Sequence, residues 1–160
     1  MASSSGKTIF KTTYLEFKKW NGKPHVNTYG GKAVINYKGN PLFVELAIVR
    51  MLIKEGWKAV WIDNFKRKFR TSLQAINPLT KLPEDKWKLL QAIAGGKSIN
   101  GCWDVFAWKN DKVKFIECKR VGKDKIRASQ IKWYKKAVKL GLPQNSFLIV
   151  EWELCYNRKQ

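Results

Sequence analysis

The chain has 160 residues, 44% apolar and 28% charged, with 32 lysines and arginines against 12 acids and a net charge of +20. That length and apolar share suit one domain with its own core and argue against a disordered basic tail. No apolar run approaches the ~18 residues of a membrane span, and a field this positive selects polyanions, nucleic acid first, as partners.

The opening MASSSGKT lacks the apolar stretch of a secretion signal and reads as a flexible terminus. Cys102, Cys118 and Cys155 are odd in number and read as reduced, buried thiols of a cytoplasmic, non-secreted protein. With one histidine, His25, and no Cys-x-x-Cys pair, a zinc site is not indicated.

In chain order, residues 1–39 form an N-terminal extension, flexible at 1–8. Short strands fit between its turn signals NGK, YGGK and YKGNP. Asn40 as cap and Pro41 as first helical residue predict a helix through LFVELAIVRMLIKE, stopped at Gly56. WKAVWID and KFRTSL read as strands flanking a basic cluster, Lys66, Arg67, Lys68 and Arg70. Pro83, Glu84 and Asp85 open a helix, EDKWKLLQAIA, whose acids suit the positive helix N-terminus. A hairpin comes next, then the helix KIRASQIKWYKKAVKL, ended by Gly141 and Pro143, and the strand SFLIVEWEL; residues 153–160 read as a tail. This order predicts an α/β fold, a central mixed β-sheet flanked by helices.

The hairpin, DVFAWKNDKVKFIECKR, carries acids in unusual places. A two-residue turn at Asn110 and Asp111 pairs Lys109 with Lys112 and sets the register. Glu117 then lies opposite Asp104, and both share a side with Phe106, Trp108, Val113, Phe115 and Lys119. Opposed like charges destabilise a sheet unless compensated. A divalent cation does this well, since carboxylate oxygens are the hard ligands Mg²⁺ prefers, and Lys119 beside them could position a water. The plainer alternative is a solvent-facing Glu-x-Lys ion pair.

Two further polar residues interrupt apolar stripes. Glu45 has apolar Val49 and Leu52 one and two turns on and no basic residue at i+3 or i+4, so its partner must come from elsewhere. Gln130 stands in the stripe Ile126, Gln130, Trp133, Ala137 and Leu140. The alternatives are a snorkelling Glu45 and a core glutamine bonded to backbone.

The ordered set Glu45, Asp104, Glu117-x-Lys119 and Gln130 resembles the PD-(D/E)xK nuclease superfamily, and within it the VRR-NUC and Holliday-junction-resolvase-like branch. FVELAIVRMLIKEGW resembles the opening helix, GCWDVFAW the Gly-x-x-Asp strand, FIECKR the Glu-x-Lys strand and SQIKWY the Gln-x-x-Trp helix. The resemblance covers about residues 40–152 and implies a restriction-endonuclease-like αβββαβ core. It departs from the pattern at Trp103, where proline often precedes the aspartate, in an apparent insertion at 63–100, and in residues 1–39, which have no counterpart.

The resemblance implies that Asp104, Glu117 and the backbone carbonyl of Cys118 hold Mg²⁺ or Mn²⁺, with Glu45 completing the site directly or through water. Lys119 would orient the attacking water and Gln130 would fix Lys119 or the backbone. Arg120, Lys123, Lys125 and Arg127, with Lys66, Arg67, Lys68 and Arg70, would grip phosphates without reading sequence. The expected function is a metal-dependent DNA endonuclease, structure-selective or resolvase-like. The alternatives are a restriction-type or RNA-directed nuclease, or a non-catalytic basic nucleic-acid-binding protein on the same fold. A homodimer stays open.

Overall fold

A computed structural model describes residues 8–23, 31–63, 68–70, 82–96 and 98–155, with the backbone alone at 68–70. His25, Lys66 and Arg67 lie outside the described residues, as do the side chains of Lys68 and Arg70. The elements are β1 (Lys11–Lys19), β2 (Ile35–Tyr37), β3 (Asn40–Leu42), α1 (Val44–Lys54), β4 (Lys58–Asp63), β5 (Lys68–Arg70), α2 (Glu84–Ala94), β6 (Val105–Lys109), β7 (Lys112–Arg120), α3 (Ala128–Lys139), a 3₁₀ turn (Gln144–Ser146) and β8 (Phe147–Cys155). The strands form one mixed sheet in the order β3-β2-β1-β8-β7-β6-β4-β5. The described residues thus form an α/β fold, with a mixed sheet and three helices. No helix among the described residues is long and apolar enough to cross a membrane.

The β4-β6-β7 meander is antiparallel, and β8 runs parallel to β7 with β1 parallel to β8 on its far side. Two apolar clusters cover the two faces. On one side Leu46, Val49 and Leu52 of α1 meet Val105, Ala107, Ile116 and Cys118. On the other, Trp133 and Ala137 of α3 and Leu90 and Ile93 of α2 meet Phe106, Trp108, Phe115 and Phe147. The period-2 alternation of β6 and β7 thus feeds both layers.

The hairpin register is the expected one, Lys109 opposite Lys112 and Val105 opposite Ile116. Asn110 takes a left-handed conformation at φ 54°, as a two-residue turn with matching twist requires. The start of α1 differs from expectation. Asn40 and Pro41 belong to β3, pairing with β2 at the sheet edge, and the helix begins only at Val44. An edge strand has no use for the missing proline N–H on its outer side, so Pro41 fits there as well as at a helix start. The supposed C-terminal tail is also shorter, because β8 continues to Cys155. In the N-terminal extension, β1 is a nine-residue strand inside the sheet.

Candidate active site

The antiparallel meander brings the end of β4, the start of β6 and the end of β7 to one end of the sheet, and the N-termini of α1 and α3 flank them from opposite faces. Asp104 sits just before β6, where the backbone ladder gives way to side-chain bonds. Its N–H donates to Glu117 Oε1 at 3.0 Å, and its Oδ2 accepts the Cys118 N–H at 2.9 Å. Its carbonyl still accepts the Ile62 N–H at 2.7 Å, which keeps it tied to β4. A carboxylate oxygen therefore takes a place that a strand carbonyl would fill.

Glu117 and Lys119 are both buried on the α3 side. Lys119 Nζ lies 2.8 Å from Glu117 Oε2 and donates to Gln130 Oε1 at 3.1 Å. Gln130, also buried, donates from its amide nitrogen to Glu117 Oε2 and accepts the Arg127 N–H at 2.9 Å. The amide orientation follows from its neighbours: two donors face its oxygen and a carboxylate faces its nitrogen. Gln130 also satisfies an orphan N–H at the start of α3, half of a capping box; Arg127, without an acceptor, cannot return the bond. The glutamine in the apolar stripe therefore fixes both Lys119 and the backbone. In that stripe Trp133 and Ala137 are buried, whereas Leu140 caps the helix and is 55% exposed.

Glu45 enters from the opposite face. It is buried in the first turn of α1, where the helix dipole favours an acid. Its partner is Lys32, whose Nζ lies 2.5 Å from Oε2. Sequence reasoning required a partner for Glu45 but did not find this one, because Lys32 comes from the segment with no family counterpart. Asp63, buried at the end of β4 just beyond the Ile62 that bonds Asp104, was also passed over.

Burial raises the Asp104 carboxyl well above the usual carboxylate range, and the charges of Glu117 and then Glu45 raise it further. The Cys118 N–H and Lys32 oppose this only in part. Cys102 and Cys118, both buried, have thiols pushed up first by burial and then by the same acids, which disfavours the reactive thiolate. The three cysteines form no disulfide.

The structure therefore joins Asp104, Glu117, Lys119 and Gln130 by hydrogen bonds, and the charge of Glu45 acts on Asp104 from the α1 side. Of the expected phosphate-binding residues, Lys123, Lys125 and Arg127 are exposed on the β7–α3 connection beside the site. Arg120 is half-buried, its guanidinium 5.2 Å from the centre of the Trp152 ring. The α3 residues Lys132, Lys135, Lys136 and Lys139, overlooked in the sequence, are exposed and extend the basic surface.

Among the described residues no three His, Cys, Asp and Glu side chains are grouped so as to hold a metal ion. Each carboxylate is turned onto a protein partner: Glu45 onto Lys32, Glu117 onto Lys119 and Gln130, and Asp104 onto Cys118. The donor types still fit a hard divalent cation. Burial first, and then the charges of Glu117 and Glu45, raise the carboxyl of Asp104, and an added cation would offset the part due to those charges. No protein-family model, curated protein or solved structure matches the chain.

Proposed function

We propose that the protein is a metal-dependent DNA endonuclease of the PD-(D/E)xK type, structure-selective or resolvase-like. The observation that carries this reading is the knot of Asp104, Glu117, Lys119 and Gln130 at one end of the sheet, with the charge of Glu45 acting on Asp104. A pure binder of a phosphate backbone gains nothing from carboxylates gathered at its basic face. The element order is a second support. From α1 onward, leaving aside β1–β3 before it and β5 and α2 within it, the succession α1, β4, β6, β7, α3, β8 matches the αβββαβ order expected of a restriction-endonuclease-like core.

In this reading Asp104, Glu117 and the Cys118 carbonyl would hold Mg²⁺ or Mn²⁺, with Glu45 joining directly or through water. The bound cation would lower the pKa of a water and offset charge on the scissile phosphate. Lys119, fixed by Glu117 and Gln130, is preset to orient the attacking water. Gln130 keeps Lys119 aimed and ties it to the start of α3. Lys123, Lys125, Arg127 and the α3 lysines would hold the flanking phosphates. A second reading, a non-catalytic nucleic-acid-binding protein on the same fold, draws on each carboxylate already having a protein partner.

The test is incubation with plasmid, branched and single-stranded DNA in Mg²⁺, Mn²⁺ or EDTA, using the wild type, Asp104→Ala and Glu117→Ala. The nuclease reading expects metal-dependent cutting, lost in both variants while DNA binding persists. Binding without cutting in any metal would establish the second reading; equal cutting by all three proteins would remove the site.

A further inference from the structure

Among the described residues, Lys32 is the one element of the site contributed by the N-terminal extension. Its side chain is 35% exposed, against 7% for Glu45, so the ion pair has one end in the protein and one reaching towards solvent. The ammonium also lies 5.8 Å from the centre of the Phe43 ring, next to the start of α1. It stands where a cation serving Glu45 would stand. The ammonium is thus held directly by the Glu45 carboxylate.

We propose that Lys32 is a built-in counter-cation that a divalent ion must displace from Glu45 before all three carboxylates can serve one metal. This rests on the metal-site reading above and deepens it: the N-terminal extension sets how readily the site fills. Two cations cannot share one buried carboxylate without repulsion, so each weakens the other by the same factor. Freed from Glu45, the long flexible lysine stem has a solvent-side exit.

The experiment measures Mn²⁺ binding by calorimetric titration and metal-free melting for the wild type, Lys32→Met, Lys32→Gln, Lys32→Arg, Glu45→Gln and Lys32→Met/Glu45→Gln. Lys32→Met should bind Mn²⁺ about tenfold more tightly, because a competing charge a few ångströms away is gone. It should also melt lower without metal, since Glu45 loses its partner. Lys32→Gln keeps a hydrogen-bond donor for Glu45, so it should retain the tighter binding with a smaller melting loss. Lys32→Arg should stay near the wild type. Adding Lys32→Met to Glu45→Gln should change Mn²⁺ affinity little.

Folded Lys32→Met and Lys32→Gln proteins that bind Mn²⁺ no more tightly than the wild type would overturn the proposal and leave the metal site standing. Absence of Mn²⁺ binding in every variant would overturn the metal site and this proposal with it. Binding in the Lys32 variants alone would support both.

Discussion

Gly101 gives the most direct test of how the site is assembled. It has φ +87°, and a Cβ built there would lie 2.6 Å from the Ser129 carbonyl oxygen, a backbone atom at the start of α3. Only glycine lets the chain leading to Asp104 pass this close to the helix that carries Gln130. The Trp103 Nε1–H, which donates to the Gln130 carbonyl at 3.0 Å, depends on the same approach. Gly101→Ala should cost ~1–2 kcal/mol for the left-handed backbone and ~1–3 kcal/mol for overpacking against atoms that cannot rotate away. At ~2–4 °C per kcal/mol for a chain of this size, melting should fall by roughly 5–15 °C. Gly122→Ala is the control: φ is +75°, but nothing lies within 4 Å of its Cβ, so only the backbone cost applies. It should lose about 3–6 °C. The assay is thermal melting with urea denaturation in parallel. Equal losses in the two variants would refute the close approach as the constraint that joins Asp104 to α3.

Asp104→Asn keeps an acceptor for the Cys118 N–H and removes a charge penalised by burial, Glu117 and Glu45, so metal-free stability should rise by on the order of 1 kcal/mol. The native carboxyl titrates above its unfolded value, so wild-type stability gains as pH falls through the raised range. The melting gap between Asp104→Asn and wild type should therefore be widest at neutral pH and close on acidification; a constant gap would contradict it. Lys119→Met leaves buried Glu117 without its cation and should cost ~3–5 kcal/mol in urea titrations, most of it recovered in Glu117→Gln/Lys119→Met. A neutral Lys119→Met would show that the knot contributes nothing to stability. Duplex binding followed by fluorescence anisotropy should weaken with a log–log salt slope of about −0.9 per phosphate neutralised, and Lys132→Ala/Lys135→Ala should make it shallower. A flat salt dependence would assign the +20 charge another role.

The hairpin was legible because its signals were local: a turn at Asn110–Asp111, alternation along both arms, and a register that follows from counting. Gln130 and Glu45 were legible for a related reason, since a polar residue inside an apolar helical stripe must have a partner. The partners themselves were less so. Lys32 is one lysine among many in a segment without strong periodicity, and only the tertiary fold shows that it meets Glu45. Asn40–Pro41 satisfied the rules for a helix start and for an edge strand equally, and pairing with β2 decided between them. The length of β1 was hidden because KTTYLEFKK buries only Phe17 fully, leaving little apolar alternation, and its parallel partner lies near the other end of the sequence.

That pairing has a consequence for how the chain is made. Lys11 lies opposite Leu148, so β1 leaves the ribosome well before the strand that will flank it on one side. Contacts between such distant parts of a chain form late and slow folding. Meanwhile β1 presents an edge to every neighbouring nascent chain, a recognised route to aggregation. Its composition suits that wait: Lys11, Lys18 and Lys19 bracket the strand with charge, and no run of apolar residues offers a foreign strand a dry face. The weak apolar pattern that concealed β1 in the sequence would also protect it until β8 arrives.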